Sequence, residues 1–173
     1  GKTVEVLAAE PGRAIKPDAV ARALADGSFD ALANVHNETS AGVLNPLADI
    51  AAAVRALPGG DDIVILVDAV SGVSGVDILP DAWDLDVVLT SSQKAFALPP
   101  GLSFCSVSAR AVARAKTVPD RGYYFDFLTL LASLEKHQTP ATPAILLLWA
   151  LDVQLDRIQA EGLASLFARH VRL

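Results

Sequence analysis

Residues 63–72 read IVILVDAVSG. Ile63, Val64, Ile65 and Val67 are β-branched, Leu66 is aliphatic, and no polar residue alternates with them. A strand with one wet face alternates apolar and polar side chains, whereas an unbroken β-branched run fits a parallel strand covered on both faces. The run stops abruptly at Asp68, and small residues and Gly72 follow. A strand of this kind belongs to a sheet with helices above and below it.

The flanking sequence supplies those helices. Upstream, residues 3–8 read as a strand and residues 17–25 as a helix with Pro17 in its first turn. Residues 30–35 read as a second strand and residues 46–57 as an alanine-rich helix with apolar positions at helical spacing. Downstream, residues 87–90 and 102–107 read as strands. Residues 109–117, 125–136 and 143–160 read as helices, the last with Thr142 as its N-cap. Strand and helix alternate along the chain. The pattern predicts one α/β domain over residues 1–173, three-layered, with a mostly parallel sheet and helices on both faces.

The 173 residues are enough for a single domain with a sizeable core. At 52% hydrophobic and 20% charged, either most strands are covered on both faces or part of the surface meets something else. A formal net charge of -6 offers no basic field, so nucleic acid is not an expected partner. The longest apolar run, residues 144–151, falls far short of the roughly 20 residues a membrane span requires. The amino end shows no charged-then-apolar leader. Cys105 is the single cysteine, which permits no internal disulfide and no cysteine metal cluster. A cytoplasmic protein without a metal is expected.

In layered α/β sheets, ligands collect beyond the carboxyl ends of the strands. The strand at 30–35 delivers His36-Asn37-Glu38-Thr39-Ser40-Ala41-Gly42 to that rim. The strand at 63–67 delivers Asp68-Ala69-Val70-Ser71-Gly72, and the strand at 87–90 delivers Ser91-Ser92-Gln93-Lys94. Taken singly, each has an ordinary explanation. An Asp after a strand is usually a turn or cap residue, and a Lys there usually snorkels at the surface. His36 reads as a loop or core histidine, and Thr39 and Ser40 as caps. Together they place an amine, a carboxylate and hydroxyls at the ends of three successive strands.

One cofactor uses that whole set. Pyridoxal phosphate is held by a lysine that condenses with its aldehyde, and a carboxylate against its ring nitrogen keeps the pyridinium charged. A donor to its phenolic oxygen and hydroxyl or amide donors to its phosphate complete the requirement. The lysine has to be uncharged to attack an aldehyde, and an apolar surrounding favours the uncharged amine. The stretch around Lys94, SSQKAFALPPG at residues 91–101, is expected to provide that surrounding.

The segments HNETSAGV, VDAVSG, SSQKAFALPPGLSF and HQTPATPAI, in this order and spacing, resemble the class V aminotransferases of the pyridoxal-phosphate fold type I group. Within that class the chain looks most similar to the phosphoserine and the serine or alanine–glyoxylate aminotransferases. The resemblance implies that Lys94 is the covalent lysine and the general base of the 1,3-proton shift. It implies that Asp68 pairs with the pyridine nitrogen, Val70 packs on one ring face, Thr39 bonds the phenolic oxygen and Gln93 contacts the phosphate. It further implies a homodimer in which Thr139, with Gln138 beside it, reaches the phosphate in the other subunit.

Chains of this family also carry a phosphate-cradling helix N-terminus and a stacking aromatic residue ahead of a segment like residues 1–3. A small domain with a carboxylate-binding arginine follows a segment like residues 164–173. The resemblance therefore covers the middle of the large domain, with residues 161–173 expected to begin the connection towards the small domain. Three functional readings follow. The first is transamination, with phosphoserine and 2-oxoglutarate as the pair favoured by Asn37-Glu38-Thr39 and serine or alanine with glyoxylate or pyruvate as the alternative. The second is a truncated form of this fold that lacks catalytic competence. The third, an unrelated nucleotide-binding α/β enzyme, has the least support, since neither GxGxxG nor GxxxxGK[ST] occurs.

Overall fold

A computed structural model describes residues 2–25 and 27–172. Four strands, β1 (Ala31–Val35), β4 (Val64–Asp68), β5 (Val87–Ser91) and β6 (Ser103–Val107), form one sheet in the order β1-β4-β5-β6. The first three run parallel, with Val35, Asp68 and Leu89 at one level. β6 pairs antiparallel to β5, from Val87 opposite Val107 to Ser91 opposite Ser103. Two short strands, β2 (Asn37–Glu38) and β3 (Val43–Leu44), make a separate antiparallel ribbon directly after β1.

Helices cover both sides of the sheet, as the continuous apolar run of β4 requires. On one face, Val20 and Leu24 of α1 (Pro17–Leu24) and Ile50 and Val54 of α2 (Leu47–Arg55) bury against Ile65, Val67 and Val88. On the other, Ala111 of α3 (Ala109–Lys116) and Phe127 of α4 (Phe127–Leu134) pack against Val64, Leu66 and Val87. Alternate residues of β4 thus serve opposite cores, the period-2 consequence of the pleat. The expected three-layer α/β architecture is what forms.

Residues 3–8 depart from the expected strand. They have no hydrogen-bonded neighbour strand among the described residues, and Val4 and Val6 are 78% and 80% exposed. Alternation marks a chain fit for pairing, but only a partner strand supplies the ladder. The cap of α5 (Ile145–Glu161) also differs from expectation. Its N-cap position is Ala144, with no side-chain cap, so Thr142 stands two residues too early. A further helix, α6 (Leu163–Arg172), follows Gly162, whose φ of 79° breaks it from α5.

The N-terminal rim of the sheet is tied by a buried charge. The Asp86 carboxylate, at 0% side-chain exposure, pairs with Arg55 at 2.7 Å. It also accepts from the Ile65 N–H at 2.8 Å and the Ser108 hydroxyl at 2.7 Å. This one carboxylate joins α2, β4, β5 and the start of α3. Asp86→Ala leaves Arg55 its second partner, Asp84 at 2.7 Å, but strips the Ile65 N–H and the Ser108 hydroxyl of a buried acceptor, so it should cost about 2–4 kcal/mol. Urea unfolding of the variant beside the parent checks this, and a loss under about 1 kcal/mol would contradict it.

Candidate functional site

The sheet brings the expected rim together at its C-terminal edge. Asp68 closes β4, the central member of the parallel trio, with Val35 of β1 and Leu89 of β5 at its sides. Both neighbours are exposed, at 37% and 42%. The His36 N–H donates to the Asp68 carbonyl at 2.8 Å, and the Ala69 N–H to that of Leu89 at 2.8 Å, so the ladder runs on past the carboxylate. Asp68 Oδ1 accepts from the Val70 N–H at 3.0 Å. Its second oxygen has no protein partner among the described residues.

Thr39 follows β2 at the tip of the ribbon and is exposed. Its hydroxyl meets that of Ser71 at 2.6 Å. This contact ties the loop after β1 to the turn after Asp68. Ser71 was not assigned a role from sequence, although its place three residues beyond the β4 carboxylate is the signal that finds it. Glu38 is occupied locally: its carboxylate accepts from the Ser40 hydroxyl and N–H at 2.7 and 2.9 Å. Those bonds, the hydroxyl's foremost, hold its carboxyl below the ordinary range.

Lys94 lies three residues beyond β5 and opens a turn closed by the Ala97 N–H on the Lys94 carbonyl at 2.8 Å. Ala97 sits at φ 56°, a left-handed conformation costing a non-glycine residue roughly 1–2 kcal/mol. The turn is held by Ser92, which is fully buried and donates its hydroxyl to the Pro99 carbonyl at 2.7 Å. The Ser92 N–H bonds the Leu102 carbonyl, and the Leu98 N–H bonds that of Ser92. A Cβ at Gly75 would stand 3.4 Å from the Ala95 Cβ, which sets the Lys94 turn beside the turn that follows Asp68.

The apolar surrounding expected for Lys94 does not form. Lys94 and Gln93 are both exposed, as is Asp68. Phe96 turns away to pack against Phe104, ring centroids 5.3 Å apart. Val70 is half-buried. Gln138 and Thr139 lie elsewhere, exposed in the loop between α4 and α5, where the Thr139 hydroxyl donates to the Ala141 carbonyl at 2.7 Å. No described contact joins them to the Asp68 turn.

His36 is 3% exposed, and burial pushes its imidazole below the ordinary value. Because the unfolded chain takes up that proton more readily, His36 leaves stability unchanged above about pH 6.5 and lowers it as pH falls below. Unfolding free energy should therefore drop by up to about 1.4 kcal/mol per pH unit below that point. His36→Leu should flatten this part of the curve in urea titrations from pH 7.5 to 5.5. An unchanged curve for the variant would remove His36 from the account.

An amine, a carboxylate with one oxygen unpaired and two hydroxyls thus share one sheet edge. That donor set fits pyridoxal phosphate: a nucleophile for an aldehyde, an anion for a pyridinium, and hydroxyls for a phenolate.

Comparison with known proteins agrees. The family profile Aminotransferase class-V matches residues 1–172. The soluble hydrogenase small subunit of Synechococcus sp. is 39% identical over 100% of this chain and 45% of its own. The serine–glyoxylate aminotransferase of Arabidopsis thaliana is 39% identical over 84% of this chain and 36% of its own. Two phosphoserine aminotransferases also match, at 35% and 34% identity. The crystal structure of the alanine–glyoxylate aminotransferase from Nostoc sp. aligns with a TM-score of 0.82 at 30% identity, covering 92% of this chain and 42% of that one. The chain spans less than half the length of these relatives. With the profile running to residue 172 and the same sheet found in a solved aminotransferase, the chain belongs to the class V aminotransferase family.

Proposed function

We propose that this chain carries the lysine and the ring-nitrogen carboxylate of a pyridoxal-phosphate-dependent transaminase. Class V aminotransferases depend on this cofactor, which supplies an electron sink that stabilises negative charge at a substrate's α-carbon. The observation that carries the reading is the juxtaposition at one sheet edge: Asp68 at the end of β4, Thr39 tied to its turn through Ser71, and the Lys94 turn beside it where Ala95 faces Gly75.

Each residue has a distinct task. Lys94 would hold the cofactor at its aldehyde carbon and, with its amine free, would carry a proton at Nζ for the 1,3-shift. Asp68 holds a proton at the ring nitrogen with its unpaired oxygen, while the Val70 N–H orients the carboxylate from the other side. Thr39 would donate to the phenolic oxygen, Val70 would pack on the ring, and Gln93 would contact the phosphate. Thr139 and Gln138 reach the phosphate of a second subunit. The broad apolar exposure along α4 and α5, including Leu134 at 67%, Leu146 at 79% and Trp149 at 70%, supports such an assembly. Sedimentation of the intact protein tests it; a monomer at micromolar concentration would remove Thr139 and Gln138 from the site.

For the substrate pair, Asn37-Glu38-Thr39 favours phosphoserine with 2-oxoglutarate, and the matched phosphoserine aminotransferases support it. Serine or alanine with glyoxylate is the second reading, favoured by higher-identity relatives named for glyoxylate. Half-reactions of the intact, cofactor-loaded protein with phosphoserine, serine and alanine decide between them. The preferred donor should exceed the others by about tenfold or more in kcat/KM, the discrimination that one recognised or missing polar group provides. Failure of every amino donor would overturn the transaminase reading.

A further inference from the structure

The group nearest the Asp68 turn with no assigned task is His36. Its backbone is fixed at both ends, the N–H on the Asp68 carbonyl at 2.8 Å and the carbonyl on the Asn45 N–H at 2.7 Å. Its ring is buried, and Nδ1 has no hydrogen-bond partner among the described residues. The ring lies directly against Gly72. A Cβ at residue 72 would stand 2.5 Å from Nδ1 and 3.3 Å from Cγ and Cε1, nearer than such atoms approach. Gly72 is itself the hub of the turn. Its N–H bonds the Ala69 carbonyl at 3.0 Å, and its own carbonyl takes the N–H groups of Gly75 and Val76 at 2.9 Å each.

The turn after Asp68 is therefore gripped from two sides by the loop after β1, with Thr39 holding Ser71 and His36 underlying Gly72. On its far side, Gly75 faces Ala95, next to Lys94, with room between them for one ordinary methyl contact. We propose that His36 is a positioning residue: its buried ring props Gly72 and thereby sets where the Asp68 carboxylate stands relative to Lys94. The proposal rests on the assignment of Asp68 and Lys94 to the cofactor. An imidazole left without a polar partner at Nδ1 in a buried place is costly, which fits a group kept for its shape and place rather than for the bond it makes. Residue 72 has to be glycine for the same reason, since any side chain would collide with the prop.

The test has one readout without cofactor and one with it. The first is the Val70 amide in proton–nitrogen NMR spectra, because its N–H bonds Asp68 Oδ1 and so reports where the carboxylate stands. The second is the rate at which borohydride fixes added pyridoxal phosphate on Lys94, read by peptide mass mapping of folded protein. His36→Ala should shift the Val70 amide and slow capture at Lys94 by about tenfold or more, the order expected when a reacting group is misplaced by under 1 Å. His36→Leu, which keeps a side chain under Gly72, should stay within about threefold of the parent, a difference well below that misplacement effect. Gly72→Ala should behave like His36→Ala or worse, and adding His36→Ala to it should relieve rather than compound the damage, as coupled neighbours do. Should Gly72→Ala not fold, the two His36 variants decide alone. A folded His36→Ala protein with the parent's Val70 amide and the parent's capture rate would overturn the proposal. Absence of capture at Lys94 in the parent would reject the cofactor assignment instead, while the Val70 amide would still report on the prop.

Discussion

Replacing Lys94 with alanine should abolish covalent capture of pyridoxal phosphate in the segment 91–104 and lower transamination by the intact protein by on the order of 10⁴-fold or more, because the proposed role makes one side chain both nucleophile and proton carrier. The expectation comes from where the amine is mounted. Lys94 begins a turn whose backbone is fixed by the Ala97, Ser92 and Leu98 hydrogen bonds and by the buried Ser92 hydroxyl. The Lys94 side chain is exposed, and its turn stands beside the Asp68 turn where Ala95 faces Gly75. The other lysines, Lys2, Lys16, Lys116 and Lys136, are also exposed, so exposure alone does not select Lys94. Its place on the same sheet edge as Asp68 and Thr39, the residues proposed for the ring nitrogen and the phenolic oxygen, does. Borohydride reduction followed by peptide mapping should place the label on the 91–104 segment of the parent. Lys94→Arg, which keeps the charge but offers no amine nucleophile, should fail as Lys94→Ala does. Label concentrated on Lys2, Lys16, Lys116 or Lys136 would sink the assignment, as would turnover by Lys94→Ala near that of the parent.

The exposure of Lys94 bears on cofactor retention. In water an aldehyde–amine link hydrolyses readily, and an amine in an open place gains nothing from desolvation. Hydrogen bonds to a phosphate contribute roughly 1.5–3 kcal/mol each, and Gln93 is the sole described residue at this edge with an assignment to the phosphate. Binding by these 173 residues is therefore expected to be weak.

What could be read in the amino-acid order follows from which forces act within a short stretch. β4 was legible because an unbroken run of Ile and Val has few other uses, and burial on both faces of the sheet agrees with it. Asp68 was legible for the same reason, as the first polar residue after such a run. The three rim segments then followed from the fold class, since parallel strands deliver their carboxyl ends to one edge. Residues 3–8 have the alternation of a strand but no paired neighbour, a property of another segment and not of their own composition. The reversed direction of β6 had a signal that went unused: the connection over residues 92–102 contains no helix and is short for a parallel crossover. Helix α6 also had one, in Leu163, Leu166, Phe167 and His170 at helical spacing after Gly162. The exposure of Lys94 was not legible. An apolar stretch in sequence becomes an apolar pocket only when its side chains turn inward together, and Phe96 packs on Phe104 instead. The role of Gly72 depended on a collision with a ring 36 positions away, which no local pattern carries.

The second large effect concerns charge alone. Asp68→Asn keeps the size of the side chain and an oxygen able to accept from the Val70 N–H, so the turn, the Thr39–Ser71 contact and the position of Lys94 should all survive. What disappears is the negative charge proposed to hold a proton at the ring nitrogen. A carboxylate makes the protonated ring favourable through a charge-assisted hydrogen bond, roughly twice as strong as a neutral one. An amide in its place can donate to an unprotonated nitrogen and so favours the state without the proton. Without that charge the bound cofactor would stabilise less negative charge at the substrate α-carbon, and proton transfer by Lys94 in its proposed role would meet a higher barrier. In the intact protein the proton transfer should slow by on the order of 10²–10⁴-fold, the range found when one charge-stabilising group is removed. Capture of the cofactor at Lys94 should persist, because the aldehyde and the amine are untouched. The two readouts separate the roles: single-turnover kinetics with an amino donor should fall while borohydride labelling of the 91–104 segment stays near that of the parent. Loss of both would mean that Asp68 holds the fold of the edge rather than the proton. Unchanged single-turnover rates would mean that the carboxylate at the end of β4 faces something other than the ring nitrogen, and the proposed orientation of the cofactor on this sheet edge would have to be abandoned.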